Sequence, residues 1–314
     1  MAPEAPLPVV VDGVHKRFGS TEVVADLSFD VRPGEMLGFL GPNGAGKTTT
    51  MRMILDVIRP DAGSIRVFGG APGVEQQTRI GYLPEERGLY RDAPVLDTLT
   101  YFGALKGLSA AEARRRAQAL LEEVGLGGSL KKKASELSRG MHQKAQVIGT
   151  ILHQPDLLII DEPFQGLDPL NADLLRNVVL GQRARGASVV MSTHDMEEAQ
   201  ALCDRILLID KGRRLLYGSV REVRDAFSEG AVVVRGEAVP SDGTDGVPFS
   251  CVTEAHRVDG SVRYVLAHGA SPRDLFRELA ASGADIERFE VAAPSLNEIF
   301  IRAVQGDPRA GRVA

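Results

Sequence analysis

The first two thirds of the chain alternate between short apolar runs and stretches with apolar residues at helical spacing. Helical patterns at 169–185 and 196–202 lie between such runs. Nearly continuous apolar strands are buried on both faces, and their alternation with helices is typical of a largely parallel sheet. The pattern therefore predicts an α/β fold. The strand candidates are 9–11, 27–31, 35–40, 64–68, 79–83, 157–160, 188–192 and 206–209.

Between about 90 and 154 the pattern changes from strands to helices. Ser109 and Glu112 have the spacing of a capping box, in which a serine and a glutamate three residues later satisfy free N–H groups at a helix start. They predict one helix, and a second is expected to begin near Ser138. This segment is predicted to form a helical subdomain between the two halves of the sheet.

A change in pattern near 228–230 predicts a domain boundary. The residues that follow combine short strands, at 261–266 and 286–291, with two helix starts marked by Ser271 and Ser295. They predict a small α+β domain. We therefore expect a larger domain at 7–228, a C-terminal α+β domain at 229–306 and a flexible tail at 307–314.

Composition and charge narrow the classes of function. The 314 residues carry a net charge of −5 and 5% aromatic residues, which argues against a broad nucleic-acid surface. The apolar runs are far shorter than the about 20 residues of a membrane-spanning helix. The N-terminal sequence also lacks the basic and apolar regions of a signal peptide. Cys203 and Cys251 are far apart and have no metal-ligand spacing. We predict a cytoplasmic protein that binds no nucleic acid.

A glycine-rich phosphate-binding pattern follows the strand candidate at 35–40. The sequence at 41–49, GPNGAGKTT, fits G-x-x-x-x-G-K-[ST], with a strand before it and a helix after it. In such a loop, backbone N–H groups bind a polyphosphate, Lys47 places a cation between the β- and γ-phosphates, and Thr48 offers a hydroxyl to Mg²⁺. The residues predicted to bind nucleotide are Asn43, Gly44, Ala45, Gly46, Lys47, Thr48 and Thr49.

Two carboxylates directly follow the apolar strand at 157–160. Asp161 and Glu162 are therefore expected at the carboxyl edge of the sheet, where α/β proteins bind ligands. Two acids in a solvated turn are the alternative, which the nearby phosphate-binding loop disfavours. Asp161 is predicted to hold Mg²⁺, usually through water. Glu162 is predicted to orient or deprotonate the water that attacks the phosphate.

Five motifs in order resemble those of the ATP-binding-cassette (ABC) ATPase subunits of membrane transporters. The phosphate-binding loop is followed by LSRGM at 137–141, DEP at 161–163, GLD at 166–168 and STH at 192–194. The resemblance covers about residues 7–220. It implies a P-loop domain with a largely parallel sheet, a helical subdomain that carries the signature motif, ATP and Mg²⁺ as ligands, and ATP hydrolysis as the activity.

The resemblance also assigns roles to the residues that match. Ser138 and the backbone of Gly140 would contact the γ-phosphate on the P-loop of a second copy, and Ser138 would also cap its own helix. His194 would contact the γ-phosphate and the attacking water, completing a catalytic set with the lysine and glutamate already described. Asp168 would couple the two sites of the dimer. Phe18 would stack on adenine, with a core phenylalanine as the alternative.

The chain departs from the family at three positions. Arg139 and Met141 replace the usual glycine and glutamine of the signature motif. Glu85 stands where the family usually has a glutamine that ligates Mg²⁺ and senses the membrane partner. A carboxylate suits a hard cation, so Glu85 is predicted to coordinate the metal, which must then offset its charge beside the phosphates. These departures resemble efflux-type members of the family.

The predicted function is that of the ATPase subunit of a membrane transporter, with export as the expected direction. One signature per chain implies that two copies, or one copy and a similar ATPase, enclose two ATPs. The transport path would lie in a separate transmembrane permease, with this chain peripheral on the cytoplasmic face of the cell membrane. The C-terminal part resembles the accessory domain of some drug- and ion-efflux ATPase subunits. The alternatives are an importer subunit, a soluble ABC ATPase of repair or translation, and a regulatory module with an idle Glu162.

Overall fold

The chain forms two compact units, and the boundary between them falls between Val220 and Arg221. Residues 221–228, which the sequence pattern predicts in the first domain, fall in the second unit. Most of them lie on a helix, α8 (Val220–Ala226), whose Arg224 Nε donates to the carbonyl of Pro294 (3.2 Å) within that unit. A computed structural model describes residues 6–86, 88–228, 230–241, 249–258, 260–292, 294–307 and 309–310, so most of the predicted tail at 307–314 lies outside the described residues.

The largest sheet of the first unit is mostly parallel. Its strand order is β5-β6-β7-β3-β8-β9, and only the pair β8–β9 is antiparallel. The prediction of a largely parallel core is confirmed. The strands of the first unit are β1 (Val9–Phe18), β2 (Thr21–Val31), β3 (Met36–Leu40), β4 (Ala62–Val67), β5 (Ile80–Leu83), β6 (Leu157–Asp161), β7 (Ser188–Thr193), β8 (Arg205–Asp210) and β9 (Arg213–Ser219).

A second, antiparallel sheet has the order β2-β1-β4. The sequence pattern indicated only the first three residues of β1, since register shifts after Val11 and Val14 break the alternation of buried and exposed positions. One apolar core connects this sheet with the parallel one, and Phe29 and Phe39 meet there with ring centroids 5.6 Å apart.

Helices cover the parallel sheet and form the subdomain between β5 and β6. Leu99, Ala113 and Ile148 are buried where three helices of this subdomain pack together. Ser109 accepts a hydrogen bond from the N–H of Glu112 (3.2 Å), which confirms the helix start predicted there. The helices of the first unit are α1 (Lys47–Ile54), α2 (Val74–Gln77), α3 (Val95–Leu105), α4 (Ala110–Glu123), α5 (Arg139–Ile151), α6 (Pro169–Ala184) and α7 (Met196–Leu202).

The second unit has a four-stranded antiparallel sheet in the order β11-β12-β10-β13. Leu275 and Leu279 of α9 pack with Val232 and Tyr264 of this sheet in an apolar core of their own. The helix starts predicted at Ser271 and Ser295 are confirmed, and both are capping boxes. Besides α8, the elements are β10 (Ala231–Glu237), β11 (Val252–Val258), β12 (Ser261–Leu266), α9 (Pro272–Ala281), β13 (Asp285–Ala292) and α10 (Leu296–Val304).

Candidate nucleotide site

The loop between β3 and α1 is built around glycines that no other residue could replace without movement. β3 lies between β7 and β8, so the loop emerges at the carboxyl edge of three parallel strands. Gly46 has φ of 106°, and a Cβ there would lie 2.7 Å from the carbonyl oxygen of Val23. A Cβ at Gly41 would collide with the carbonyl of Ile209. The backbone can therefore wrap closely and present the free N–H groups of the first turn of α1.

This loop borders a cavity of about 270 Å³. Lys47, which is 7% exposed, holds its ammonium against the loop, where Nζ donates to the carbonyls of Gly41 (2.6 Å) and Pro42 (3.2 Å). Burial lowers the pKa of Lys47, and the nearby carboxylates oppose that shift. The cavity is lined by Val23, Pro42, Asn43, Gly44, Ala45, Gly46, Lys47, Thr48, Thr49, Glu85, Asp161 and Glu162.

Asp161 ends β6 beside the loop, with both carboxylate oxygens engaged. The hydroxyl of Thr48 donates to Oδ2 (2.9 Å), and the hydroxyl of Ser192 donates to Oδ1. Ser192 is the partner of Asp161 in the register of β6 and β7. The sequence analysis assigned no role to Ser192, although it opens the quoted STH motif. Two neighbouring strands thus fix the carboxylate in front of the first turn of α1.

Glu162 lies next to Asp161 and faces His194. Its carboxylate Oε1 is 2.9 Å from Nδ1 of His194, which follows the end of β7. Glu162 has a φ of 47°, in the left-handed region, and its N–H donates to Oγ and to the carbonyl of Ser192, both at 3.2 Å. The side chain of Glu162 is 8% exposed and that of His194 53% exposed. A buried carboxylate thus lies at the cavity wall with an accessible imidazole beside it.

Besides His194 and Phe18, three predicted residues lie outside this cavity lining. Ser138 is the N-cap of α5 and accepts from the N–H of Met141 (3.3 Å), with Gly140 in the same turn. Asp168 caps α6 and accepts from the N–H of Asn171 (3.1 Å). The side chain of Asn171 also donates to Asp168 and holds the pKa of that carboxyl below its usual range. Within one chain, the motif at 137–141 is not part of the cavity that the loop borders.

The start of α5 nevertheless contacts the loop that follows Glu162. Gln143 Nε2 donates to the carbonyl of Pro163 (3.0 Å), and Arg139 Nη2 donates to that of Gln165 (3.3 Å). A cavity of about 170 Å³ is bordered by these side chains together with Glu162. Arg139, which departs from the family pattern, therefore has a defined contact. No motif or spacing along the chain indicates the contact of Gln143.

Phe18 and Glu85 lie at the periphery of the site. Phe18 ends β1 and is 51% exposed, which rules out the alternative of a core phenylalanine. The ammonium of Lys16 lies 5.6 Å from the centroid of its ring. Glu85 is exposed in the loop after β5 and lines the cavity near Asp161. Both side chains are available to a ligand.

Among the described residues, no helix is both long and apolar enough to cross a membrane. The described part of the chain also contains no cluster of three or more His, Cys, Asp or Glu side chains suited to hold a metal ion. Magnesium bound together with phosphates does not need such a cluster, because it takes only one or two carboxylates from the protein.

Two family models match parts of this chain, and a bacterial relative matches nearly all of it. Residues 24–165 match the family model described as ABC transporter, and residues 218–304 match that of the ATP-binding protein DrrA1-3-like C-terminal domain. An uncharacterized ABC transporter ATP-binding protein, YhaQ of Bacillus subtilis, is 37% identical over 94% of this chain and 98% of its own length.

A second relative and a solved structure give the same result. The Nod factor export ATP-binding protein I of Ralstonia nicotianae is 37% identical over 86% of this chain and 84% of its own length. A solved ATP-binding subunit of an ABC transporter has a TM-score of 0.66 and 33% identity, covering 70% of this chain and 92% of that one. The chain therefore belongs to the ABC transporter ATP-binding proteins, the ATPases that drive membrane transporters.

Proposed function

We propose that the chain hydrolyses ATP at the cavity between the P-loop and Glu162 and thereby drives an exporter. The observation that carries this proposal is the convergence of a buried lysine, a carboxylate fixed beside Thr48, and the Glu162–His194 pair on one sheet edge. Each group has the chemistry that one part of phosphoryl transfer to water requires.

The P-loop supplies binding and charge neutralisation. The N–H groups at the start of α1 accept the phosphates, and the ammonium of Lys47 exchanges its two carbonyl partners for β- and γ-phosphate oxygens. Burial of this ammonium strengthens its interaction with an anion because less water screens it. Phe18, exposed at the end of β1, would stack on the adenine ring.

Glu162 and His194 act on the attacking water. The carboxylate of Glu162 takes a proton from the water while the oxygen of the water bonds to the γ-phosphorus. The bond between that phosphorus and the β–γ bridging oxygen breaks at the same time. The products are ADP and phosphate. The imidazole of His194, hydrogen-bonded to Glu162, orients the carboxylate and is accessible to the γ-phosphate.

The residues around Thr48 fit Mg²⁺. The hydroxyl of Thr48 and the carboxylate of Asp161 lie 2.9 Å apart, and Glu85 adds a carboxylate to the same cavity. All three are hard oxygen ligands of the kind that Mg²⁺ prefers. When bound, the ion would neutralise charge on the phosphates. Thr48 and Asp161 would hold it, and Glu85 would replace the glutamine usual in the family.

Two copies complete the two sites. Ser138, Gly140 and Asp168 lie outside the cavity of their own chain. Ser138 and Asp168 cap the starts of two helices, and Gly140 lies in the first turn of one of them, where free N–H groups favour an anion. We infer that these helix starts face the P-loop of a second copy, or of a similar ATPase, across two bound ATPs. Asp168 would then couple the two sites.

Export as the direction is supported by the named relatives. Nod factor export ATP-binding proteins match between 68% and 86% of this chain. In the proposed arrangement the chain lies on the cytoplasmic face of the membrane and acts on a separate transmembrane permease. The importer, soluble and regulatory alternatives have no corresponding observation in their favour.

The Glu162→Gln variant tests this function. The amide keeps the shape of the side chain but cannot take the proton, so kcat for ATP should fall by about 100-fold or more. The variant should still bind ATP and should accumulate as an ATP-bound dimer, measured by light scattering after gel filtration with Mg²⁺ and ATP. Glu86→Gln, an exposed neighbour of the site, is the control and should behave as wild type. Unchanged turnover in Glu162→Gln would contradict the mechanism.

A further inference from the structure

The segment 193–195, from the last residue of β7 to the residue before α7, carries His194 and must hold it against Glu162. The imidazole is half exposed, and the hydrogen bond to Glu162 is too little by itself to fix a backbone segment. Thr193, by contrast, is 1% exposed. Its hydroxyl accepts a hydrogen bond from the N–H of Asp195 (3.0 Å), which closes the chain around His194.

Glu198 completes a ring of hydrogen bonds around this segment. The hydroxyl of Thr193 donates to Oε2 of Glu198 (3.3 Å), and the N–H of Glu198 donates to Oδ1 of Asp195 (3.0 Å). Hydrogen bonds thus form a ring that encloses His194 and joins Thr193, Asp195 and Glu198. The side chain of Glu198 is 12% exposed, so water competes little for these contacts.

Arg176 links the same carboxylate to the loop that carries Glu162. Its Nη2 lies 3.8 Å from Oε1 of Glu198, and its guanidinium lies 5.6 Å from the ring centroid of Phe164. Phe164 is buried and follows Glu162 by two residues. Arg176 therefore connects the carboxylate of Glu198, which contacts the segment of His194, with the segment of Glu162.

Stability alone does not explain an acid at this position. Burial, followed by the negative charge of Asp195, raises the pKa of Glu198 to about 7, so the ionised form is held at a cost. A buried group that costs stability and contacts a catalytic segment is typical of a functional constraint.

We propose that Glu198 is a positioning residue, whose carboxylate holds segment 193–195 so that His194 faces Glu162. This inference rests on the proposed function, because it assumes that His194 acts in ATP hydrolysis. Glu198 itself touches neither nucleotide nor water in this role. Its removal should therefore change the rate of the chemical step while leaving the P-loop contacts of ATP intact.

The first experiment measures steady-state ATP hydrolysis by the full-length chain. Glu198→Ala should lower kcat about tenfold and leave KM for ATP within about twofold, since the lost contacts matter after binding. Glu198→Gln keeps an oxygen that accepts from Thr193, so most of the rate should return. Glu197→Gln removes an exposed acid from the same turn of α7 and is the matched control, expected to match wild type.

The second experiment asks whether Glu198 acts through the histidine. Glu198→Ala should have little further effect in a His194→Ala background, because residues that act as one unit are not additive. Thr193→Val, which keeps the shape of the side chain but removes its hydroxyl, should reproduce the loss seen in Glu198→Ala. It keeps the test decisive if Glu198→Ala unfolds, as circular dichroism would show.

The outcomes separate this inference from the proposed function. If wild type and Glu197→Gln hydrolyse no ATP, the proposed function fails. If His194→Ala lowers kcat while Glu198→Ala and Thr193→Val do not, the proposed function stands and the inference is overturned. An additive loss in the double variant would also overturn it, because Glu198 would then act independently of His194.

Discussion

Glu162 combines an unfavourable backbone conformation with the proposed role of activating the attacking water. A left-handed φ costs a non-glycine residue on the order of 1 kcal/mol or more, and such residues persist where their surroundings fix them. Here the hydroxyl of Ser192 accepts from the N–H of Glu162 and donates to Asp161. One serine on the neighbouring strand therefore sets the directions of two successive acids, one toward Thr48 and one toward His194.

His153 shows how burial can make stability depend on pH. Its Nε2 lies 3.1 Å from the carbonyl oxygen of Ile80, and its buried Nδ1 has no hydrogen-bond partner among the described residues. Burial, with the charge of Lys106 as the second cause, lowers the pKa of His153 from its usual 6.5 to about 4. The unfolded chain therefore binds a proton below pH 6.5 that the folded chain refuses until about pH 4.

We predict that the free energy of unfolding falls as the pH drops from about 6.5 to about 4. In the His153→Gln variant it should fall less steeply. When the pH falls from about 7.5 to about 5, wild type should lose about 2 kcal/mol more unfolding free energy than His153→Gln does. Urea unfolding at both pH values measures it. The raised pKa of Glu198 acts in the opposite direction, so only the difference between the variant and wild type isolates His153. Parallel pH curves for the two proteins would refute the assignment, and His268→Gln, at an exposed histidine, is the control.

At the scale of elements, close helix packing fixes the subdomain that carries the signature motif. Gly103 of α3 lies against α4, and a Cβ added there would be 2.7 Å from Cβ of Ala113 and 2.9 Å from a methyl carbon of Leu152. Because the Cβ of Ala113 is fixed to the backbone, the helices would have to separate. Gly181 of α6 provides a contrast, since nothing lies within 4 Å of its added Cβ.

The same substitution should therefore have opposite effects at these two glycines. Gly103→Ala should destabilise the first unit by about 1–2 kcal/mol, because overpacking outweighs the gain in helix propensity. Gly181→Ala should stabilise it by up to about 1 kcal/mol, because only the propensity changes. Thermal unfolding of both variants beside wild type tests the prediction. A Gly103→Ala protein that melts at or above the wild-type temperature would show that the helices separate at no cost.

The sequence was most informative for features that depend on the residues of a single strand or helix. β3, β6 and β7 are buried on both faces and showed as continuous apolar runs, and the serine caps of α4 and α5 had a local signature. The antiparallel strands were underpredicted because bulges disturb their alternation.

Contacts between distant segments had no such signature. β9 was not predicted, since its positions are mostly half-buried and follow neither pattern. The P-loop and the acids after β6 were recognisable as motifs. The bridging role of Ser192 depends on how β6 and β7 pair in space, so it follows from tertiary geometry. The ring formed by Thr193, Asp195 and Glu198 lies within six residues, and only the contacts of Arg176 with Glu198 and Phe164 join it to a distant segment.

For the whole molecule, the decisive question is whether a site takes its signature motif from its own chain or from a second one. In one chain, Ser138 caps α5 outside the cavity that contains Lys47. If two copies assemble with two-fold symmetry, each site combines Lys47 of one copy with Ser138 of the other. Lys47→Ala and Ser138→Arg should each abolish hydrolysis when tested alone, since every site in either homodimer has one damaged half.

Mixing these two inactive variants should restore activity. In a mixed dimer, one site receives both damaged halves, and the other pairs an intact P-loop with an intact signature motif. With random pairing, about half of the dimers are mixed, so about one quarter of the sites should be intact. The measurement is ATP hydrolysis after the equal mixture has been allowed to exchange subunits, with each variant alone as the control. If each chain used its own signature motif, no chain in the mixture would carry both intact halves, and the mixture would stay as inactive as its components.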